Sequence, residues 1–126
     1  MTNSEHLHQN IFYSIIDGIL LISPSLTIQK SNLTVEDMFH RSSDSFLNRG
    51  LEELFPRQSH VLDISRKVLV TGACYHDVEA EGVRNTPSSR FPVNLTLSPF
   101  LESDESIQGV LILVKNMSLI RELEER

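Results

Sequence analysis

Apolar residues recur along this chain with two spacings, one helical and one extended, and the switches between them outline its elements. In residues 5–16, Leu7, Ile11, Phe12, Ile15 and Ile16 fall on one helical stripe, and Asp17-Gly18 ends the run. Ile19 to Ile22 is apolar at every position, Pro24-Ser25 reads as a turn, and 26–30 reads as a second strand. So short a connection predicts that 18–23 and 26–30 pair as an antiparallel hairpin. Asn32 is placed to cap a short helix whose Val35, Met38 and Phe39 share a face. Two further helical pieces are predicted at 43–47 and 51–54, closed by Pro56. A longer helix is predicted at 59–71, with Val61, Ile64 and Val68 toward the core and Gly72 just past its end.

Three strands complete the pattern. In 74–83, one parity carries Cys74, His76, Val78 and Ala80 and the other Tyr75, Asp77, Glu79 and Glu81. That alternation predicts a half-exposed edge strand with His76 on its inward face. Residues 91–100 alternate cleanly, with Phe91, Val93, Leu95 and Leu97 on one side. Residues 107–115 do not, because Val110 to Val114 is apolar throughout, which predicts a strand covered on both faces. Together with 19–22 this run is expected at the centre of one five-stranded antiparallel sheet in an α+β fold. The short helices then cover one face, and the stripe of the N-terminal amphipathic helix covers the other.

Composition narrows the picture. A chain of 126 residues, 40% hydrophobic, supports one core. The expected organisation is an amphipathic helix at 1–17, a core at 18–117 and the start of a coiled-coil-like helix at 118–126. A formal net charge of -6 leaves no basic stripe for phosphate neutralisation, so no nucleic acid is expected as a partner. The single cysteine, Cys74, precludes an internal disulfide, suits a reducing cytoplasm and reads as a small buried residue. No leader-like pattern opens the chain, and its apolar runs are far shorter than the roughly 20 residues of a bilayer span, so no direct membrane insertion is expected.

Catalytic patterns are missing from the sequence. It has no Gly-rich phosphate loop, no Gly-x-Ser-x-Gly elbow and no His-Glu-x-x-His helix, and the segment is expected not to be an enzyme. His6 and His8, two apart on a helix, point to different sides, and His40 and His60 lie near helix ends, so no metal site is expected.

Five blocks carry a resemblance: DGILLISPSLTIQKSN (17–32), MFHRSSDSFLNRGLEELFP (38–56), VLVTG (68–72), FPVNLTLSPF (91–100) and QGVLILVKNMSLIRELEE (108–125). In this order and spacing the chain resembles a PAS domain, a sensory module of bacterial signalling proteins. His40 and Asn48 stand where such sequences often carry glycines. Asn116-Met117-Ser118 stands in place of the family's Asp-Ile-Thr triplet, with Ser118 expected as N-cap of the exit helix.

The resemblance implies a ligand space between the sheet and the long helix, lined by Met38, Phe39, Val61, Ile64, Val68, His76, Leu95 and Leu97 and suited to a small apolar ligand. No cofactor is expected: Cys74 lacks the Asn-Cys-Arg-Phe-Leu-Gln context of flavin photosensors, and His76 is not on the long helix that usually supplies a haem ligand. Leu7, Ile11, Phe12 and Ile15 either seal the sheet within one chain or form the face of a homodimer. Asn116, Ser118, Leu119 and Leu123 are expected to relay a signal toward a C-terminal output domain. The function implied is a sensory or dimerisation domain of a larger cytoplasmic protein, a histidine kinase of a two-component system. A haem- or flavin-bearing redox or gas sensor and a freestanding interaction adaptor are the alternatives.

Overall fold

The computed structural model describes residues 17–84 and 89–118. The N-terminal stripe (Leu7, Ile11, Phe12 and Ile15) and the exit-helix residues Leu119 and Leu123 lie outside the described residues.

Five strands, β1 (Gly18–Ile22), β2 (Ile28–Ser31), β3 (Tyr75–Val83), β4 (Arg90–Leu101) and β5 (Ile107–Asn116), form one antiparallel sheet in the order β2-β1-β5-β4-β3. Between β2 and β3 the chain builds α1 (Leu33–Phe39), two single 3-10 turns (Ser43–Ser45 and Leu51–Glu53) and α2 (His60–Thr71). The expected α+β arrangement is therefore observed. The first and last strands are neighbours at the centre, Gly18 lying opposite Val114 and Ile22 opposite Val110. Because they run antiparallel, the chain enters β1 and leaves β5 at the same end of the sheet. Gly109 serves this pairing: a Cβ there would collide with the carbonyl oxygen of Ile22.

The core lies between the sheet and the helices. Leu20 and Ile22 of β1, Phe91, Val93, Leu95 and Leu97 of β4, and Val110, Ile112 and Val114 of β5 are all buried, joined by Val35, Met38 and Phe39 of α1. On the opposite face Ile19 is 42% exposed, while Leu21, Leu111 and Leu113 are half-buried. The continuous apolar runs thus have one fully buried face, and the cover expected for the other falls on the undescribed N-terminal stripe.

Local chemistry explains the helix boundaries. Asn32 Oδ1 accepts from Val35 N–H at 3.3 Å, capping α1, and also from Ile19 N–H at 3.0 Å; its Nδ2 donates to Asp17 O at 3.2 Å. One side chain therefore fixes the start of β1 to the start of α1. His40 ends α1 in the left-handed conformation at φ 54°, and Asn48 adopts φ 65°, so both positions expected to substitute for glycine have the backbone that favours glycine. Ser59 caps α2 and Gly72 ends it, also left-handed.

Four expectations change. The β1–β2 connection is wider than a tight turn: Leu26 takes φ 65°, its N–H reaches Ser23 O, and Ser23 N–H reaches Thr27 O, so β2 begins at Ile28. On α2 the buried set is Val61, Leu62, Ser65 and Val68, with Ile64 only half-buried. Ser65 is admitted because its hydroxyl donates to Val61 O at 2.8 Å, leaving no polar atom unsatisfied. His76 is exposed and so does not face the core, and Cys74 is exposed rather than buried. Both departures come from a bulge between Tyr75 and Val78 where Asp77 takes φ 59°, which turns Tyr75 inward and displaces the parity of the residues before it. Asn94 Nδ2 holds the bulge by donating to Asp77 Oδ1 at 2.8 Å.

Both sheet edges are partly closed by the chain itself. Beside β2, Ile28 N–H donates to Arg49 O, and Asn48 N–H donates to Ile28 O. Beside β3, Val83 N–H donates to Leu54 O at 2.8 Å, and His60 of α2 meets Glu79 O at 2.6 Å. At these residues such closure blunts the tendency of open strands to pair with other chains, and on β3 it leaves Glu81, between Glu79 and Val83, without an outward bond to a described residue. The loop that supplies Leu54 is itself pinned by Arg41, whose guanidinium donates to Ser45 O, Glu53 O and Glu53 Oε1 at 2.7–3.1 Å.

Candidate functional site

The space between sheet and helices is the first place to look for a ligand. Met38, Phe39, Val61, Val68, Leu95 and Leu97 belong to one contiguous buried cluster, Ile64 lies at its margin, and His76 stands outside it. Toward α1 the volume is taken up by aromatic rings. Phe39 packs edge-on against Phe55 at 5.8 Å and against Phe91 at 4.9 Å, geometries that add to the gain from burial alone.

Gly82 of β3 lets these rings reach the sheet, since a Cβ there would fall 2.7 Å from Phe91 and 2.8 Å from Phe39. Arg84 closes the rim, with its guanidinium carbon 4.2 Å above the Phe91 ring and its Nε donating to Met38 O at 3.0 Å. Partial burial pulls the Arg84 guanidinium below its ordinary pKa, though so strong a base keeps its charge at neutral pH. Six of the expected lining residues, Met38, Phe39, Val61, Val68, Leu95 and Leu97, are therefore part of the buried core, and Ile64 and His76 are not.

A second concavity lies outside the core, between the start of α2 and β3. It holds about 400 Å³ and is lined by Pro56, Gln58, Ser59, His60, Glu79, Ala80, Glu81 and Arg90. His60 Nε2 must carry a proton to bridge to Glu79 O, because a carbonyl only accepts. None of the expected pocket residues lines this cleft. No sequence motif marks it, since its two walls are about 20 residues apart in the chain and meet only through the folding of α2 onto β3. Among the described residues no three His, Cys, Asp or Glu side chains gather as a metal site, and no helix is long and apolar enough to cross a membrane.

The third site is the junction after β5. Asn116 lies opposite Val93, and Asn116 Oδ1 accepts from Ser118 N–H at 3.0 Å. Met117 N–H donates to Pro92 O at 2.9 Å. The capping acceptor is thus Asn116, with Ser118 already the first helical residue, which corrects the expectation that Ser118 serves as N-cap. Asn116 makes this bond through a neutral amide, with no charge at the junction from this side chain.

Solved structures share this architecture. A PAS domain from Colwellia psychrerythraea superposes with a TM-score of 0.71 at 11% identity, covering 93% of this chain and 99% of that one. A PAS domain of an HTR-like protein from Haloarcula marismortui gives 0.65 at 16% identity, covering 90% and 91%. A sensory box sensor histidine kinase from Vibrio cholerae gives 0.64 at 18% identity, covering 90% of each chain. At these identities the likeness speaks for the fold. No curated protein matches the sequence significantly. The family profile for the PAS fold matches residues 7–117, nearly the whole chain. The match spans well over half of the chain, and with the strand order and the broken helices in agreement the chain belongs to the PAS family.

Proposed function

We propose that this chain is the sensory and dimerisation PAS domain of a larger cytoplasmic signal-transduction protein, a histidine kinase, and that it acts as a relay without catalysing a reaction itself. The junction after β5 carries this reading. There the central strand runs directly into a helical start that is hydrogen-bonded to β4 through Pro92 and capped by Asn116. A ligand or partner that favours one packing of the sheet over another changes the direction in which that helix leaves, which is a population shift between two arrangements. A sensor histidine kinase of Vibrio cholerae among the structural relatives supports the choice of parent.

In this scheme a small apolar ligand displaces the Phe39–Phe55–Phe91 packing, which links ligand binding to movement of α1. The N-terminal stripe of Leu7, Ile11, Phe12 and Ile15 supplies the homodimer face. Sedimentation of the 126-residue chain is expected to give a dimer at high micromolar concentration, and a clean monomer there would overturn the dimer part. Native mass spectrometry of freshly purified protein reports any retained ligand in the same sample. A Soret or flavin band in its visible spectrum would decide for the cofactor-bearing alternative.

A further inference from the structure

The cleft beside β3 has a floor with open hydrogen-bonding capacity, and the register of the sheet shows why. Glu81 pairs with Pro92 across the β3–β4 ladder. Pro92 has no N–H to give, and its carbonyl already accepts from Met117 on the other side of β4. In an antiparallel pair the residues facing each other either exchange both bonds or neither, so Glu81 directs its own N–H and C=O away from β4, toward the cleft. The same alternation sends out Glu79 O, which His60 takes, and Val83 N–H, which Leu54 O takes. Between these two closures Glu81 is left with an outward donor and acceptor that no described residue satisfies.

The walls add charge to that edge. Glu79 and Glu81 line the cleft, both exposed and on the same face of β3, against the single guanidinium of Arg90, which has interactions of its own. The bulge residue Asp77, also exposed, extends the acidic row. At about 400 Å³ the cleft is within the range of small binding sites, about 300–1,000 Å³.

We propose that this cleft is a docking site for an extended basic peptide segment of a partner protein. One residue of that segment adds to the β3 edge by exchanging both backbone bonds with Glu81, and flanking Lys or Arg side chains meet Glu79 and Glu81. Backbone pairing supplies the geometry and the acidic row selects the charge. The cleft lies outside the buried core, and the proposal does not depend on whether the chain dimerises. It is also one strand from the exit: Glu81 faces Pro92, and Pro92 O holds Met117 N–H.

The test uses the 126-residue chain and a labelled, end-blocked Lys-Val-Lys-Val-Lys peptide, with Glu-Val-Glu-Val-Glu as control. Binding is read by fluorescence anisotropy, and the Glu81 amide is followed by NMR hydrogen exchange. The expected result is binding of the basic peptide only, weakened by salt, with new protection at the Glu81 amide. Glu81→Pro removes the outward N–H without taking a bond from the ladder, and it is expected to fold and to lose at least tenfold in affinity. If Glu81→Pro fails to fold, the Glu79→Gln/Glu81→Gln pair serves instead, with an expected several-fold loss and a flatter salt dependence. Equal binding of both peptides, binding that leaves the Glu81 amide unprotected, or no binding at millimolar peptide overturns the proposal. So does Glu81 protection that rises with protein concentration alone, which would assign the edge to a second copy of the chain.

Discussion

At the scale of single residues, the backbone is held at several corners by side chains that would ordinarily avoid them. Leu26, His40, Asn48, Asp77 and Glu105 all have positive φ. Left-handed backbone costs a residue with a Cβ about 1–2 kcal/mol, less for Asn and Asp, whose short side chains bond locally. His40 is exposed and directly follows α1, so nothing buried depends on its imidazole. His40→Gly is expected to raise the unfolding free energy by up to about 1 kcal/mol, and His40→Val to lower it by about 1–2 kcal/mol. Urea titration checks both, as shifts of midpoint at unchanged slope. The same corners limit what a sequence discloses. Counting parity through 74–83 misplaces His76 and Cys74, because nothing in the letters shows that Asp77 turns the strand. Ser65 escapes for a different reason, since a serine looks polar until its hydroxyl is seen bonded to Val61 O one turn back.

At the scale of elements, the clearest connection is made by Asn32. Its amide holds the start of α1, the amide of Ile19 and the carbonyl of Asp17 together. Loss of the cap costs about 1 kcal/mol, and the two further bonds about 0.5–1.5 kcal/mol each. Asn32→Ala is therefore expected to destabilise the domain by about 2–4 kcal/mol. Asn32→Asp should lose less, because it keeps both acceptor roles and gives up only the donation to Asp17. Denaturant unfolding of the two variants side by side measures the difference, and equal losses would place the effect in the Asp17 bond alone. Elements with regular burial were legible beforehand: β4 buries one parity and leaves the other half-buried, and Asn32 and Gly72 stand where helices start and stop. The cleft beside β3 was not legible. Its residues are ordinary surface types whose proximity depends on the Leu54–Val83 and His60–Glu79 contacts.

At the scale of the whole molecule, stability is distributed across the sheet from its centre outward. β5 is flanked by strands on both sides and buries Val110, Ile112 and Val114, whereas β2 and β3 are closed by only a few loop and side-chain bonds. Amide exchange is expected to be slowest at Ile112 and Val114, with β2 and β3 opening at lower free energy. Residue-resolved exchange decides this, since equal protection in β3 and β5 would mean that the sheet opens as one unit. An edge that opens before the centre also lets a partner at β3 act without unfolding the core.

The adjacency of β1 and β5 has one more consequence. Because the chain enters and leaves at the same end of the sheet, Gly18 beside Val114, the fold asks little of the polypeptide on either side. Cutting such a unit out of one gene and splicing it into another would disturb the host at a single point, much as a bead is threaded through adjacent holes. Tolerance of insertion into another chain thus follows from the pairing of the first strand with the last.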